Sequence, residues 1–171
     1  MQNVKTIAVI GASEKRNFAV LKELSQRYQL LLFDKNQKAL SDIYDSILAE
    51  NRYSYVEKMD CAVNASWEAD IIILSGFCIN DASIVQKIKE VATAKTIIIM
   101  ENDDEFTKSI NHQFSFDLVF PHSTIVEIIN LNTEDSPEKE FLLEGHNSKS
   151  LDMVSAIFES VGFTTYVSQI N

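Results

Sequence analysis

The chain has 171 residues, 46% of them hydrophobic, and its 25 acidic against 15 basic residues leave a formal net charge of −10. That length suits one domain with a sizeable core, and the acidic balance argues against nucleic acid, whose phosphates call for a basic patch. No apolar run approaches the ~20 residues that a membrane-spanning helix needs, and no signal peptide is read ahead of the first strand.

Residues 4–10 are apolar and β-branched, which predicts a strand buried on both faces. GASEKRN, residues 11–17, reads as a turn, with Ser13 or Asn17 capping a helix over 18–28. In that helix Phe18, Val20, Leu21, Leu24 and Tyr28 recur at helical spacing. A second buried strand, 30–33, ends on Asp34, and Asn36 caps a helix over 37–49. A third strand falls at 53–56 or at 61–65, the latter competing with a helical turn around Trp67 over 62–69. Residues 71–74 form a further buried strand closely followed by Gly76, Asp81 caps a helix to about residue 92, and 96–100 is another buried strand.

Beyond it the rhythm changes. A short helix is expected over 103–113, strands over 115–120 and 125–130, and a polar loop over 133–139. A strand over 140–144 leads into a turn, then a helix over 149–161 capped by Ser148, with Gly162 at its C′ position and a last strand over 163–167. No repeat or linker interrupts the chain. It is expected to form a single domain over residues 1–171, with a core over 4–102 and a C-terminal extension over 103–171. The alternation of strands and helices predicts a three-layer αβα, Rossmann-like open sheet, mostly parallel, with right-handed crossovers.

Residues 5–34 carry the chemistry. Strand, glycine turn, helix, strand and acidic tip make the opening βαβ unit of a dinucleotide-binding fold, in which backbone N–H groups and the helix dipole receive phosphate. Of the three fingerprint glycines only Gly11 stands here. Ser13 and Arg16 occupy the other two positions, or Ala12, Glu14 and Asn17 all three if the motif shifts by one. Asn17 could supply a positive φ, Ser13, Lys15 and Arg16 could touch phosphate, and Glu14 would oppose it; the plainer reading is a βα turn that binds nothing. Asp34 suits ribose hydroxyls and favours NAD, and Lys35 could cradle the 2′-phosphate of NADP; a surface carboxylate that caps the next helix is the simpler role. Ser75, Gly76 and Phe77 follow a central strand and would line the ligand crevice, Phe77 near a nicotinamide or over the core. Cys78 is either a reactive thiol or, more simply, a half-buried inert one. Cys61 and Cys78 have no paired spacing and read as free thiols of a reducing, cytoplasmic compartment. His112, His122 and His146 lack metal-ligand spacing.

Four segments in order resemble the deazaflavin (factor-420)-dependent NADP oxidoreductases: KTIAVIGAS (5–13), EADIIILS (68–75), FPHSTIVEIINL (120–131) and LLEGHNSKSLDMVSAIFESVGF (142–163). Asn130 falls on the asparagine that closes the family's third motif, Gly145 on the glycine of the fourth, and Gly162–Phe163 on its closing pair. His146–Asn147 replaces the family's acidic pair, Asp34–Lys35 stands where a Ser-Arg usually meets the 2′-phosphate, and the loop after residue 74 lacks the family's proline. GASEKRNFAVLKEL also resembles the opening turn of CoA-binding Rossmann domains.

The resemblance implies an NAD(P)-binding, oxidoreductase-like protein moving a hydride between a nicotinamide and a small molecule. The alternative is a non-catalytic nucleotide- or CoA-binding sensor or interaction module. A homo-oligomer is a further expectation, with Ile157, Phe158 and Phe163 either at an interface or, more simply, in the core.

Overall fold

The computed structural model describes residues 4–100, 116–132 and 139–170. Its strands are β1 (Thr6–Ile10), β2 (Gln29–Phe33), β3 (Val56–Lys58), β4 (Ile71–Ser75), β5 (Thr96–Met100), β6 (Thr124–Asn130), β7 (Glu140–Gly145) and β8 (Thr164–Gln169). The helices are α1 (Phe18–Leu24), α2 (Gln37–Glu50), α3 (Ala62–Glu68), α4 (Ala82–Lys89), α5 (Phe116–Val119) and α6 (Ser148–Glu159). The strands form one eight-stranded sheet in the order β3-β2-β1-β4-β5-β6-β7-β8. Pairing is parallel throughout except between β6 and β7.

The sequence explains the layering. Every residue of β4 and β5 is buried, as a central parallel strand covered on both faces requires. Alternate residues then feed two cores. Ile7, Val9, Ile71 and Ile73 pack with α1, α2 and α6 on one face, whereas Ala8, Ile10, Ile72 and Leu74 pack with α3, α4 and α5 on the other. Each fully buried Leu or Ile contributes roughly 1.5–3 kcal/mol, so the aliphatic strands dominate the stability of the sheet. The expected three-layer αβα open sheet, mostly parallel, is the observed fold. Among the described residues no helix is long and apolar enough to cross a membrane.

Several local expectations need correction. The helix predicted over 18–28 stops at Leu24, where the Ser25 hydroxyl donates to the Lys22 carbonyl at 2.7 Å. The third strand is Val56–Lys58, overlapping the first alternative only at Val56; residues 62–68 are helix α3, with Trp67 in it. Phe116–Val119 is helix, not strand: the Phe120 N–H donates to the Phe116 carbonyl, and both rings are buried. Asn147, not Ser148, caps α6 by accepting from the Ser150 N–H at 2.9 Å. The helix expected over 103–113 and the loop over 133–138 lie outside the described residues.

The C-terminal end is built around three rings. Phe141 stands edge-on to Phe158 and to Phe163, with centroids 5.6 and 5.3 Å apart. Gly162 (φ +93°) reverses the chain after α6; its N–H reaches the Glu159 carbonyl, and the Phe163 N–H reaches that of Phe158. That is the Schellman pairing, completed by the Phe158–Phe163 contact. Ile157, Phe158 and Phe163 are buried, so core packing, the simpler of their two expected roles, is what the fold gives them.

Candidate functional site

Two crossovers that leave the sheet in opposite directions define the site. β1 pairs with β2 on one side and with β4 on the other. The chain leaves β1 for α1 on one face and leaves β4 for α4 on the opposite face. The two loops therefore part, and a crevice opens at the carboxyl ends of the strands. It holds a cavity of about 290 Å³. Gly11, Ser13 and Glu14 line it from the turn after β1, Asp34, Lys35 and Asn36 from the tip of β2, and Cys78 and Asp81 from the segment after β4.

Gly11 adopts φ +90°, and a Cβ on it would stand 2.1 Å from the Ser75 carbonyl oxygen. This glycine is required by the close approach of the turn to β4. The N–H groups of Gly11 and Ala12 both donate to the Phe33 carbonyl, at 2.9 and 3.1 Å. Ala12 is fully buried. A 3-10 turn, Lys15–Asn17, precedes α1, and neither Ser13 nor Asn17 caps that helix. Asn17 has φ −87°, so it does not supply the left-handed conformation expected of a glycine substitute. Instead its buried side-chain amide donates to the Ser75 hydroxyl. Gly76 and Phe77 open the 3-10 turn that follows β4.

Asp34 is held from two sides. Its Oδ2 accepts from the Ser13 hydroxyl at 2.7 Å and from the Ser13 N–H at 3.1 Å, and its Oδ1 accepts from the Asn36 N–H at 2.9 Å. A carboxylate offers about four lone-pair sites, so this one retains acceptor capacity on Oδ1. Lys35 makes an ion pair with Asp81 across the mouth of the crevice. Asp81 also caps α4 through the N–H groups of Ser83 and Ile84. Lys35, and then the Ser83 hydroxyl, hold the Asp81 carboxyl far below the ordinary carboxylate range. Burial, aided by the nearby charges of Asp34 and Asp81, pushes the Cys78 thiol up to about 11. That direction is the opposite of the lowered values that mark activated cysteines, and it fits the buried, inert thiol.

A second, smaller cavity of about 90 Å³ lies against the other side of the turn, between Arg16 and Asn17 and the ends of β5, β6 and β7. Lys139, Asn130 and Asn132 edge it, over a floor that includes Met100, Ile128 and Phe163. Asn130 accepts from the backbone and side-chain N–H groups of Asn132, at 2.9 and 2.7 Å, which shapes the loop after β6.

The structure thus gathers Gly11, Ser13, Asp34 and Lys35 in one crevice. It places Ala12, Asn17 and Ser75 beneath as buried supports, and Arg16 on the neighbouring cavity. The cross-crevice role of Asp81 was not visible in the sequence, where it stands 46 residues from Lys35 and reads only as a helix cap.

No protein-family model matches the chain, and no curated protein matches it in sequence. Solved structures do resemble it. The N-terminal domain of HmdIII from Methanocaldococcus jannaschii superposes with a TM-score of 0.68 at 13% identity, covering 98% of this chain and 100% of that one. A protein described as an F420-dependent NADP-reductase, from Arthrobacter sp. FB24, gives 0.67 at 13% identity, over 96% of this chain and 84% of that one. The imine reductase from Myxococcus stipitatus, in complex with NADP+, gives 0.67 at 14% identity over 96% of this chain, which spans only 55% of that protein. At such identities the likeness shows the fold, the Rossmann-type sheet that these proteins share. The motif resemblance to deazaflavin-dependent NADP oxidoreductases is met at that level.

Proposed function

We propose that the chain binds NAD or NADP along this crevice and belongs to an oxidoreductase-like system that moves a hydride between the nicotinamide and a second small molecule. The observation that carries this reading is the placement of Asp34 at the tip of β2, beside the only fingerprint glycine. It lines the cavity and keeps an acceptor position for a ribose hydroxyl. The residues present suit the adenosine end of a dinucleotide. Lys35 offers a cation for a 2′-phosphate once it parts from Asp81. The phosphate turn is less generous, because the N–H groups of Gly11, Ala12 and Ser13 are already engaged within the chain. Binding weaker than that of a three-glycine turn follows. A bound nicotinamide supplies the hydride chemistry; the chain's own residues bind and orient it. The similar structures support the reading, among them one in complex with NADP+. The free cysteines fit a reducing, cytoplasmic compartment.

The test is thermal stabilisation by NADH, NADPH and CoA, each titrated to millimolar concentration. A ligand present at a hundredfold excess over its Kd stabilises the protein by roughly 2.7 kcal/mol. Stabilisation by a nicotinamide dinucleotide supports the proposal. Stabilisation by CoA alone makes the protein a CoA-binding module, and no response to any of the three removes the proposal.

A further inference from the structure

We propose that the smaller cavity beside the turn is a binding site for a small hydroxy acid, held by its carboxylate and by its hydroxyl. The proposal concerns this cavity alone and stands whether or not a dinucleotide occupies the crevice.

Size sets the first limit. The cavity of about 90 Å³ has the room of about three waters at roughly 30 Å³ each. That suits a molecule of about six non-hydrogen atoms and is too little for a nucleotide.

Charge sets the second. The chain carries a net charge of −10, yet Arg16 and Lys139 both edge this cavity and, among the described residues, no carboxylate lines it. A cationic lining in an acidic protein draws in a small anion that the rest of the surface repels. Arg16 already has a partner within the chain, but its guanidinium brings five N–H donors. Lys139 meets Glu23 at 3.4 Å, a long and partly exposed ion pair of the kind that holds weakly and yields to a competing carboxylate.

Two amides complete the polar set. A backbone N–H can only donate, so the Asn130 atom that accepts from the Asn132 N–H is its oxygen. The Asn132 side chain donates to the same atom. Asn130 Nδ2 is thereby left as a donor, without an acceptor among the described residues. Asn17 supplies the opposite chemistry. It is 6% exposed, its Nδ2 is spent on the Ser75 hydroxyl, and among the described residues no donor reaches its Oδ1. It lines this cavity and not the crevice. A buried acceptor without a donor is costly, and a ligand hydroxyl relieves it. An ammonium group would do so only against the charges of Arg16 and Lys139. The carboxylate therefore goes to Arg16, Lys139 and Asn130 Nδ2, and the hydroxyl to Asn17 Oδ1. The carbon skeleton rests on the buried apolar floor of Met100, Ile128 and Phe163.

Calorimetric titration of the full chain, without nucleotide and at constant ionic strength, tests the proposal. The probes are lactate, propionate, lactamide and inorganic phosphate. Lactate is expected to saturate one site. Propionate, which lacks the hydroxyl, binds about tenfold more weakly, and lactamide, which lacks the charge, does not bind measurably. Lys139→Gln weakens lactate by about tenfold. Asn130→Asp keeps the oxygen that Asn132 needs but turns the donor into a like charge, and abolishes lactate binding. Circular dichroism of both variants matches the parent; where Asn130→Asp does not fold, Lys139→Gln decides alone. A parallel titration with NADH reports on the crevice, so each of the two sites fails or stands by itself. No saturable binding of lactate, equal binding of propionate or lactamide, phosphate as the tightest probe, or parental affinity in Lys139→Gln overturns the proposal.

Discussion

Both donors of Ser13, its hydroxyl at 2.7 Å and its N–H at 3.1 Å, converge on a single carboxylate oxygen of Asp34. The turn after β1 is thereby fastened to the tip of β2 by an anion of the chain's own. Asp34→Ala leaves the Ser13 N–H without that partner and costs about 1–3 kcal/mol of stability in urea melts. On the nucleotide reading it also weakens NADH more than NADPH, because the ribose acceptor is lost while Lys35 stays. Equal losses for the two cofactors would take Asp34 away from the ribose.

Lys35 has two possible claimants, Asp81 and a 2′-phosphate. Lys35→Ala should weaken NADPH about tenfold, the scale of one charge-assisted contact, and leave NADH unchanged. Asp81→Asn keeps an acceptor for the cap of α4 but releases Lys35, so NADPH binding should strengthen. Fluorescence titration of the two variants separates these effects, and two variants with parental NADPH affinity would contradict the assignment. The sign of the pH dependence follows from the depressed Asp81 carboxyl. The pair's contribution is complete above the unfolded carboxylate value of about 4 and is lost only as pH falls through the lower folded value.

Gly11 and Gly162 share a left-handed φ, +90° and +93°, but not a neighbourhood. Nothing lies within 4 Å of a Cβ built on Gly162, so Gly162→Ala should cost about 1 kcal/mol, the backbone term alone. Gly11→Ala adds a collision with the Ser75 carbonyl and should cost about 3 kcal/mol or more. Denaturant unfolding of the two variants gives the comparison directly, and similar costs would mean that the turn moves away from β4 freely.

Cys78 offers a chemical check on the crevice. Iodoacetamide at neutral pH should label Cys61 and spare Cys78, as mass spectrometry of peptides would show. The stability owed to the protonated Cys78 thiol is present below about 9 and lost as pH rises through about 11. Fast labelling of both cysteines at neutral pH would show that the crevice leaves Cys78 open.

The strands were legible because their chemistry is local. TIAVI, IIILS and TIIIM admit little besides buried strands, and β5 falls on the predicted residues. Asn36 and Asp81 declared themselves as caps from their position before an amphipathic run. FDLVF misled because five residues do not separate a period of two from one of 3.6; the helix won by setting Phe116 and Phe120 on one buried face. In the site, Gly11 and Asp34 stand out as motif positions, whereas Asn17 reads locally as a cap or a stand-in for glycine. Its actual role depends on Ser75, 58 residues away, and no local pattern encodes such a meeting.

Ser75 therefore does two things for the turn: its carbonyl forbids a side chain at Gly11, and its hydroxyl receives the Asn17 amide. Both contacts close a loop that spans the first half of the fold, and each therefore carries the chain entropy of a closure of that length. During synthesis the turn has no floor until β4 has left the ribosome. A nascent chain that ends before β4 holds the glycine, the serine and the aspartate, yet it has nothing against which to set them.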